Sequence, residues 1–169
     1  MSKQFHIQVE SIFDCSLERA FKTPMLCDVR KVHTGFIFSP KVTGTTEDES
    51  WGQVGSSKKI HAAKSITHKG GYLFIDRVIE REENKYWKIQ MDTFQSWMVG
   101  FDKFEGEWHT EVINANQVQV KYKYTFHAQN PIYFPLNWVF IHAFWRYYMK
   151  RVIANIKTMA YNEEPYLYD

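Results

Sequence analysis

Residues 4–13 alternate between apolar and polar side chains. Phe5, Ile7, Val9 and Phe13 fall on one face, and His6, Gln8 and Glu10 on the other. A period of two marks a half-buried strand. The period then changes. Ser16 is placed to cap a short helix through Leu17, Glu18, Arg19, Ala20 and Phe21. Thr23-Pro24 opens a second short helix to about Val29, because proline is favoured at the first helical position. From about residue 36 to 127 the chain reads as strands and turns. Gly52 and Gly55 bracket one hairpin, Gly70-Gly71 a second, Glu82-Glu83-Asn84 a third and Asn114-Ala115-Asn116 a fourth. Pro40 and Gly44 punctuate a first strand of this region, and after it lie strands near 56–65, 71–81, 85–95, 104–113 and 117–128. The last is the cleanest: Val118, Val120, Tyr122, Tyr124 and Phe126 point one way, and Gln117, Gln119, Lys121, Lys123 and Thr125 the other. The final segment is helical. Pro135 sits near its start, and Trp138, Ile141, Trp145, Tyr148, Val152, Ile156 and Met159 recur at spacings of three and four.

The order is one strand, two short helices, six strands and one long helix, which is an α+β arrangement. Two short helices cannot cover so large a sheet, so the long helix is expected to fill its concave face. No repeat, linker or composition break divides residues 1–169, and one domain is expected.

The composition narrows the function classes. Hydrophobic residues make up 44% and charged residues 24%, ordinary for a globular protein. Aromatic residues are in excess at 17%, which suits a thick core or a cavity wall equally well. A net charge of +2 is too weak for a nucleic-acid partner. The longest apolar stretch, near 131–149, is interrupted by Asn137, His142 and Arg146 and is not a membrane span. Cys15 and Cys27 match no disulfide framework or metal spacing and read as reduced thiols. With no apolar signal segment after Met1, a cytoplasmic location is expected.

Three stretches carry a family likeness. The first strand runs into the small helices as Phe13-Asp14-Cys15-Ser16-Leu17-Glu18-Arg19-Ala20-Phe21. Trp51-Gly52-Gln53-Val54-Gly55-Ser56, followed by Lys58-Lys59-Ile60, is like a Trp-x-x-Gly-x-x-Arg hairpin, and Asp76-Arg77-Val78-Ile79-Glu80 like the fourth strand of the same family. In this order, over roughly residues 4–160, they resemble the START/polyketide-cyclase-like (SRPBCC) superfamily with its helix-grip fold. The resemblance implies an apolar cavity between sheet and long helix. Members bind lipids, sterols, polyketides or plant hormones, and a minority are cyclases, aromatases or hydrolases. No catalytic motif is shared across the superfamily.

The residues themselves offer little chemistry. The seven histidines lack metal-ligand spacing, and no metal or cofactor is expected. No nucleophile elbow or phosphate loop is present. For acid–base work the candidates are His142, beside the cavity stripe, and Asp76. The strand holding Asp76 and Arg77 is apolar on both faces, so one of the two is expected to face inward; an Asp–Arg or Asp–Tyr pair that merely orders the sheet would explain it equally. Glu47-Asp48-Glu49 and Lys58-Lys59 flank the Trp51–Gly55 hairpin and read as register-pinning surface charges with no part in binding.

The aromatic lining is the stronger signal. Trp108, Tyr122, Tyr124, Trp138 and Trp145 fall on faces assigned inward, and with Met91, Ile141, His142 and Trp97 they form the expected ligand-contact set. A second stripe of Phe140, Phe144 and Tyr147 makes the first half of the helix apolar nearly all round. It is expected to pack under the apolar loop near 94–103, which would then act as a lid, or to make a homodimer or transient membrane contact. Binding or transport of a small apolar ligand is the function expected. A cyclase, dehydratase or hydrolase acting in the same cavity is the alternative, and an interaction module using the aromatic helix is a third.

Overall fold

A computed structural model describes residues 3–95 and 100–168. The strands are β1 (Lys3–Phe13), β2 (Val42–Glu47), β3 (Ser57–Ala62), β4 (Gly71–Glu82), β5 (Tyr86–Asp92), β6 (Lys103–Asn114) and β7 (Gln117–Ala128). They form one antiparallel sheet in the order β1-β7-β6-β5-β4-β3-β2. Strands two to seven are a meander, and β1 crosses over to pair with β7. The sheet curves around a long C-terminal helix, the helix-grip architecture. The alternation in β7 holds: Val118, Val120, Tyr122, Tyr124 and Phe126 are all buried.

Two short helices follow β1, with boundaries that differ from those expected. Ser16 does cap the first, its hydroxyl accepting from the Arg19 amide. Pro24, however, lies inside α1 (Leu17–Leu26) and opens no second helix. The second, α2 (Val29–Val32), starts instead from Asp28, whose carboxylate accepts from the Arg30 amide at 2.9 Å. Proline inside a helix leaves the carbonyl four residues back without its donor. Here that carbonyl belongs to Ala20, and the Trp108 indole N–H donates to it at 3.0 Å. Trp87 and Trp51 donate likewise to the carbonyls of Phe21 and Met25, at 3.3 and 2.9 Å. Three indoles from the sheet side thus fasten α1, each hydrogen bond worth about 1 kcal/mol net.

The long helix also departs from a single α-helical phase. A 3₁₀ turn (Pro131–Tyr133) leads into α3 (Phe134–Val139), then a π-helical stretch (Phe140–Trp145), then α4 (Arg146–Tyr161). The Arg146 amide reaches back five residues to the Ile141 carbonyl. A π insertion adds a residue without adding a turn, so everything before it is rotated by about one position. Asn137 is therefore buried where the stripe predicted Trp138. Beyond α4 the chain folds back, and the Leu167 amide donates to the Leu26 carbonyl at 2.7 Å.

Candidate functional site

Between the concave face and the helix lies a cavity of about 310 Å³. Met91, Phe104, Trp108, Tyr124, Trp145 and Val152 are among its walls. Such a volume sits at the lower end of the range for small-molecule sites. One row of side chains explains how it is polarised. In an antiparallel sheet, directly opposed residues share a face. Reading across all seven strands, Glu47 opposes Lys58, Lys58 opposes Asp76, Asp76 opposes Met91, Met91 opposes Phe104, Phe104 opposes Phe126, and Phe126 opposes Phe5. The inward row is thus charged toward the β2 edge and wholly apolar toward the β1 edge.

Lys58 and Asp76 are the charged members that line the cavity. Lys58 is 2% exposed and Asp76 8% exposed. The Lys58 ammonium lies 3.9 Å from the centre of the Trp51 ring and 5.5 Å from that of Tyr168. Those rings stabilise its charge through their electron-rich faces. Burial nonetheless pulls the Lys58 pKa below the usual lysine range, against the attraction of Asp76 and Glu47. Burial likewise lifts the Asp76 carboxyl well above the usual carboxylate range, against the attraction of Lys58. The pair makes no ion pair within 4 Å, and Asp76 Oδ1 has no hydrogen-bond partner among the described residues. Arg77, its neighbour in sequence, points to the other face and pairs with Asp92 at 3.1 Å. The sheet-ordering Asp–Arg pair is therefore made, but by Arg77 and Asp92 and without Asp76.

Other polar groups converge on the same space. The Tyr122 hydroxyl donates to that of Tyr124 at 2.8 Å, which in turn donates to the Met91 sulfur at 3.8 Å. Burial raises both tyrosine pKa values, reinforced at Tyr122 by the Tyr124 phenol and opposed at Tyr124 by the hydrogen bond it accepts from Tyr122, so both stay protonated. Tyr148 Oη and His33 Nδ1 are 2.6 Å apart. Burial, reinforced by the charge of Lys58, draws the His33 pKa down to about 4, and burial raises that of Tyr148 to about 12. Asn137 Nδ2 and Trp145 Nε1, both on cavity-lining residues, also lack partners among the described residues.

The expected contact set divides. Met91, Trp108, Tyr122, Tyr124, Trp145 and Asp76 all line the cavity. Ile141 is fully buried in the core but is not a lining residue. Trp138 is 55% exposed and stacks on His142, whose Nδ1 is 2.9 Å from the Trp138 carbonyl oxygen. The π insertion turns both away from the cavity, so His142 is not in position to act within it. Trp97 lies outside the described residues. Lys58 was missed. Its run with Lys59 looks like a solvated edge, yet alternation alone puts one of any two adjacent strand residues inside, and Ile60 on the buried face fixes which.

The second helix stripe also divides. Phe144 is buried between Phe36 and Phe38, with ring centres at 5.6 and 5.5 Å, which removes it from any dimer or membrane contact. Phe140 is half-buried, with Phe101 of the 94–103 loop 6.1 Å away, while Tyr147 is 59% exposed. Ile37, Phe38, Leu136, Val139 and Tyr147 surround a shallow apolar depression that shares Phe38, Leu136, Phe140 and Phe144 with the cavity lining. Ile37 holds φ at +48° in the tight Phe36–Ser39 turn. A β-branched residue is strained there. No described helix is long and apolar enough to cross a membrane, and among the described residues no three metal-binding side chains gather. Cys15 and Cys27 are free.

Neither protein-family models nor curated proteins match the sequence. Solved structures do match its fold. Ara h 8.0201 shares 15% identity at a TM-score of 0.69, with 95% of this chain and 99% of that one covered. A norcoclaurine synthase from Thalictrum flavum shares 12% at 0.71, covering 96% and 98%; another structure of that enzyme holds dopamine and hydroxybenzaldehyde. The Zhui aromatase/cyclase from Streptomyces sp. R1128 shares 12% at 0.67, covering 95% of each chain. This chain thus shares the helix-grip fold of these proteins.

Proposed function

We propose that this protein binds a small, mostly apolar molecule with one polar end inside the cavity. One observation carries the reading: Asp76 Oδ1, Asn137 Nδ2 and Trp145 Nε1 are buried on residues that line one space, and none has a hydrogen-bond partner among the described residues. In a solid core each unmet group would cost about 1–3 kcal/mol. A ligand with matching donors and acceptors removes that penalty. Its apolar body would lie along Met91 and Phe104 and its polar end would meet Asp76 and Lys58, following the gradient of the inward row. The depression around Ile37, Phe38 and Leu136 is the proposed approach.

Native mass spectrometry of freshly purified protein, with extraction of whatever is bound, tests this. Near-stoichiometric occupancy by an apolar molecule is expected, or failing that, saturable binding of an apolar fluorescent dye that Trp145→Ala weakens at least tenfold. A bare protein mass together with no dye binding overturns the proposal.

A second reading, that the bound molecule is chemically transformed, is favoured by the Lys58–Asp76 geometry. The fold neighbours whose names denote enzymes support it only as fold analogy.

A further inference from the structure

The buried lysine has no obvious structural employment. A Lys Nζ beside a cavity wall, 2% exposed and without a salt bridge, is an expensive way to pin a strand register. Its surroundings are those of a reactive amine: apolar walls, a tryptophan face beneath it, and a buried carboxyl directly opposite on the next strand with one oxygen unused. Amines in such settings form Schiff bases with carbonyl compounds. An adjacent carboxyl is what such condensation needs, because the hydroxyl of the first adduct leaves only as water.

Resting on the cavity-binding reading above, we propose that the polar end of the ligand is an aldehyde or ketone and that Lys58 captures it as an imine, with Asp76 as the proton carrier. Asp76 takes a proton from the Lys58 ammonium, the freed Nζ lone pair forms a C–N bond to the carbonyl carbon, the carbonyl π electrons go to oxygen, and a proton moves from that nitrogen to the oxygen to give a neutral carbinolamine. Asp76 then gives a proton to the resulting hydroxyl, the C–O bond breaks and water departs. Overall, lysine ammonium plus carbonyl gives a protonated imine plus one water, with no change of charge and no oxidant or reductant. The Asp76 carboxylate, opposite Lys58 across the strand pair, is the counter-ion for the iminium. The hydroxyls of Tyr122, Tyr124 and Tyr148 surround the same space, available to orient a polar substituent.

The intact chain is incubated with benzaldehyde and sodium cyanoborohydride, which reduces only the protonated imine, and is then mapped by peptide mass spectrometry. Dye binding is measured in parallel on the same samples. Lys58 is expected to be labelled at least tenfold faster than Lys59, its exposed neighbour on the opposite face. Glyoxylate, a small charged aldehyde, should show no such preference between Lys58 and Lys59. Asp76→Asn should slow Lys58 labelling at least tenfold, and Lys59→Arg should leave both dye binding and Lys58 labelling unchanged. Lys58→Arg keeps a cation over Trp51 and should abolish the fast phase. Dye binding by the wild type without preferential labelling of Lys58 overturns the imine and leaves cavity binding standing. Loss of both overturns the two together. Labelling that is fast at Lys58 but indifferent to Asp76→Asn overturns the role of Asp76.

Discussion

If Lys58 and Asp76 are kept for chemistry, replacing both by apolar residues should make the protein more stable. Each group gives up hydration to sit at the cavity, and neither recovers it through a direct ion pair. Replacing a buried charged pair by hydrophobic residues of similar size is often stabilising by about 1–4 kcal/mol. Lys58→Met keeps the unbranched stem along Trp51, and Asp76→Leu projects into an existing space of about 310 Å³, so overpacking is avoided. The double variant is therefore expected to gain about 1–4 kcal/mol, with each kcal/mol raising Tm by about 2–4 °C in a domain of this size. The single variants differ. Asp76→Leu leaves the ammonium its two rings and Glu47, so the loss is small. Lys58→Met leaves a carboxyl without a counter-charge. Its folded pKa is already raised by burial, so the stability of that variant should fall as pH rises and the isolated carboxyl must ionise. Urea denaturation of all four proteins at pH 6 and pH 8 closes the cycle. A double variant less stable than wild type by more than about 1 kcal/mol would mean that the pair holds the fold together, and the functional reading of its burial would fail.

Three other consequences are simpler to check. Ile37→Asn should stabilise the protein by about 0.5–1 kcal/mol, measured by thermal unfolding, because asparagine tolerates the left-handed backbone and the Ile37 side chain is 68% exposed. His142→Ala and Trp138→Ala should leave dye affinity unchanged within about twofold; a tenfold loss would put the helix face wrongly outside the cavity. Acid should act in two windows. The His33 pKa is depressed to about 4, so its contribution is complete above about pH 6.5 and declines as pH falls toward 4. Burial opposes ionisation of Glu105, but hydrogen bonds from Lys103 and Lys88 hold it at about 2, so its contribution is complete above about pH 4.5 and declines toward 2. In a stability–pH titration, His33→Phe should flatten the upper window and Lys88→Met the lower.

What could be read from the chain followed from strict periodicity. In β7 the alternation identifies Val118, Val120, Tyr122, Tyr124 and Phe126 as inward, because one register serves a sheet with one core face; Thr125, assigned to the polar face, is buried as well. The cap at Ser16 was legible because it depends on two residues three apart. Pro24 was misread for a physical reason: proline breaks a helix when the freed carbonyl goes unmet, and here Trp108, distant in sequence, meets it. Only the folded chain brings that indole to α1. The helix stripe failed in the same way. Apolar residues at three- and four-residue spacing are compatible with several phases. The π insertion at Phe140–Trp145 selects one in which Asn137 and Phe140 face the cavity and Trp138 does not.

Lys58 shows where local pattern gives way to cost. Read alone, Glu47, Lys58 and Asp76 are charges on three strands, and charge ordinarily marks a wet face. The β2–β3 and β3–β4 registers place them in one row, and the burial of Ile60 two residues along β3 assigns that row to the inside. Once the row is inside, its continuation through Met91, Phe104, Phe126 and Phe5 turns three unrelated charges into one end of a graded surface. A graded surface has little use in a filled core, where every polar atom must be met from within, and much use around a molecule that is itself apolar at one end and polar at the other. The unmet oxygen of Asp76 lies at the polar end of that gradient, and under the proposed function it is the polar end of the bound molecule that this oxygen would meet.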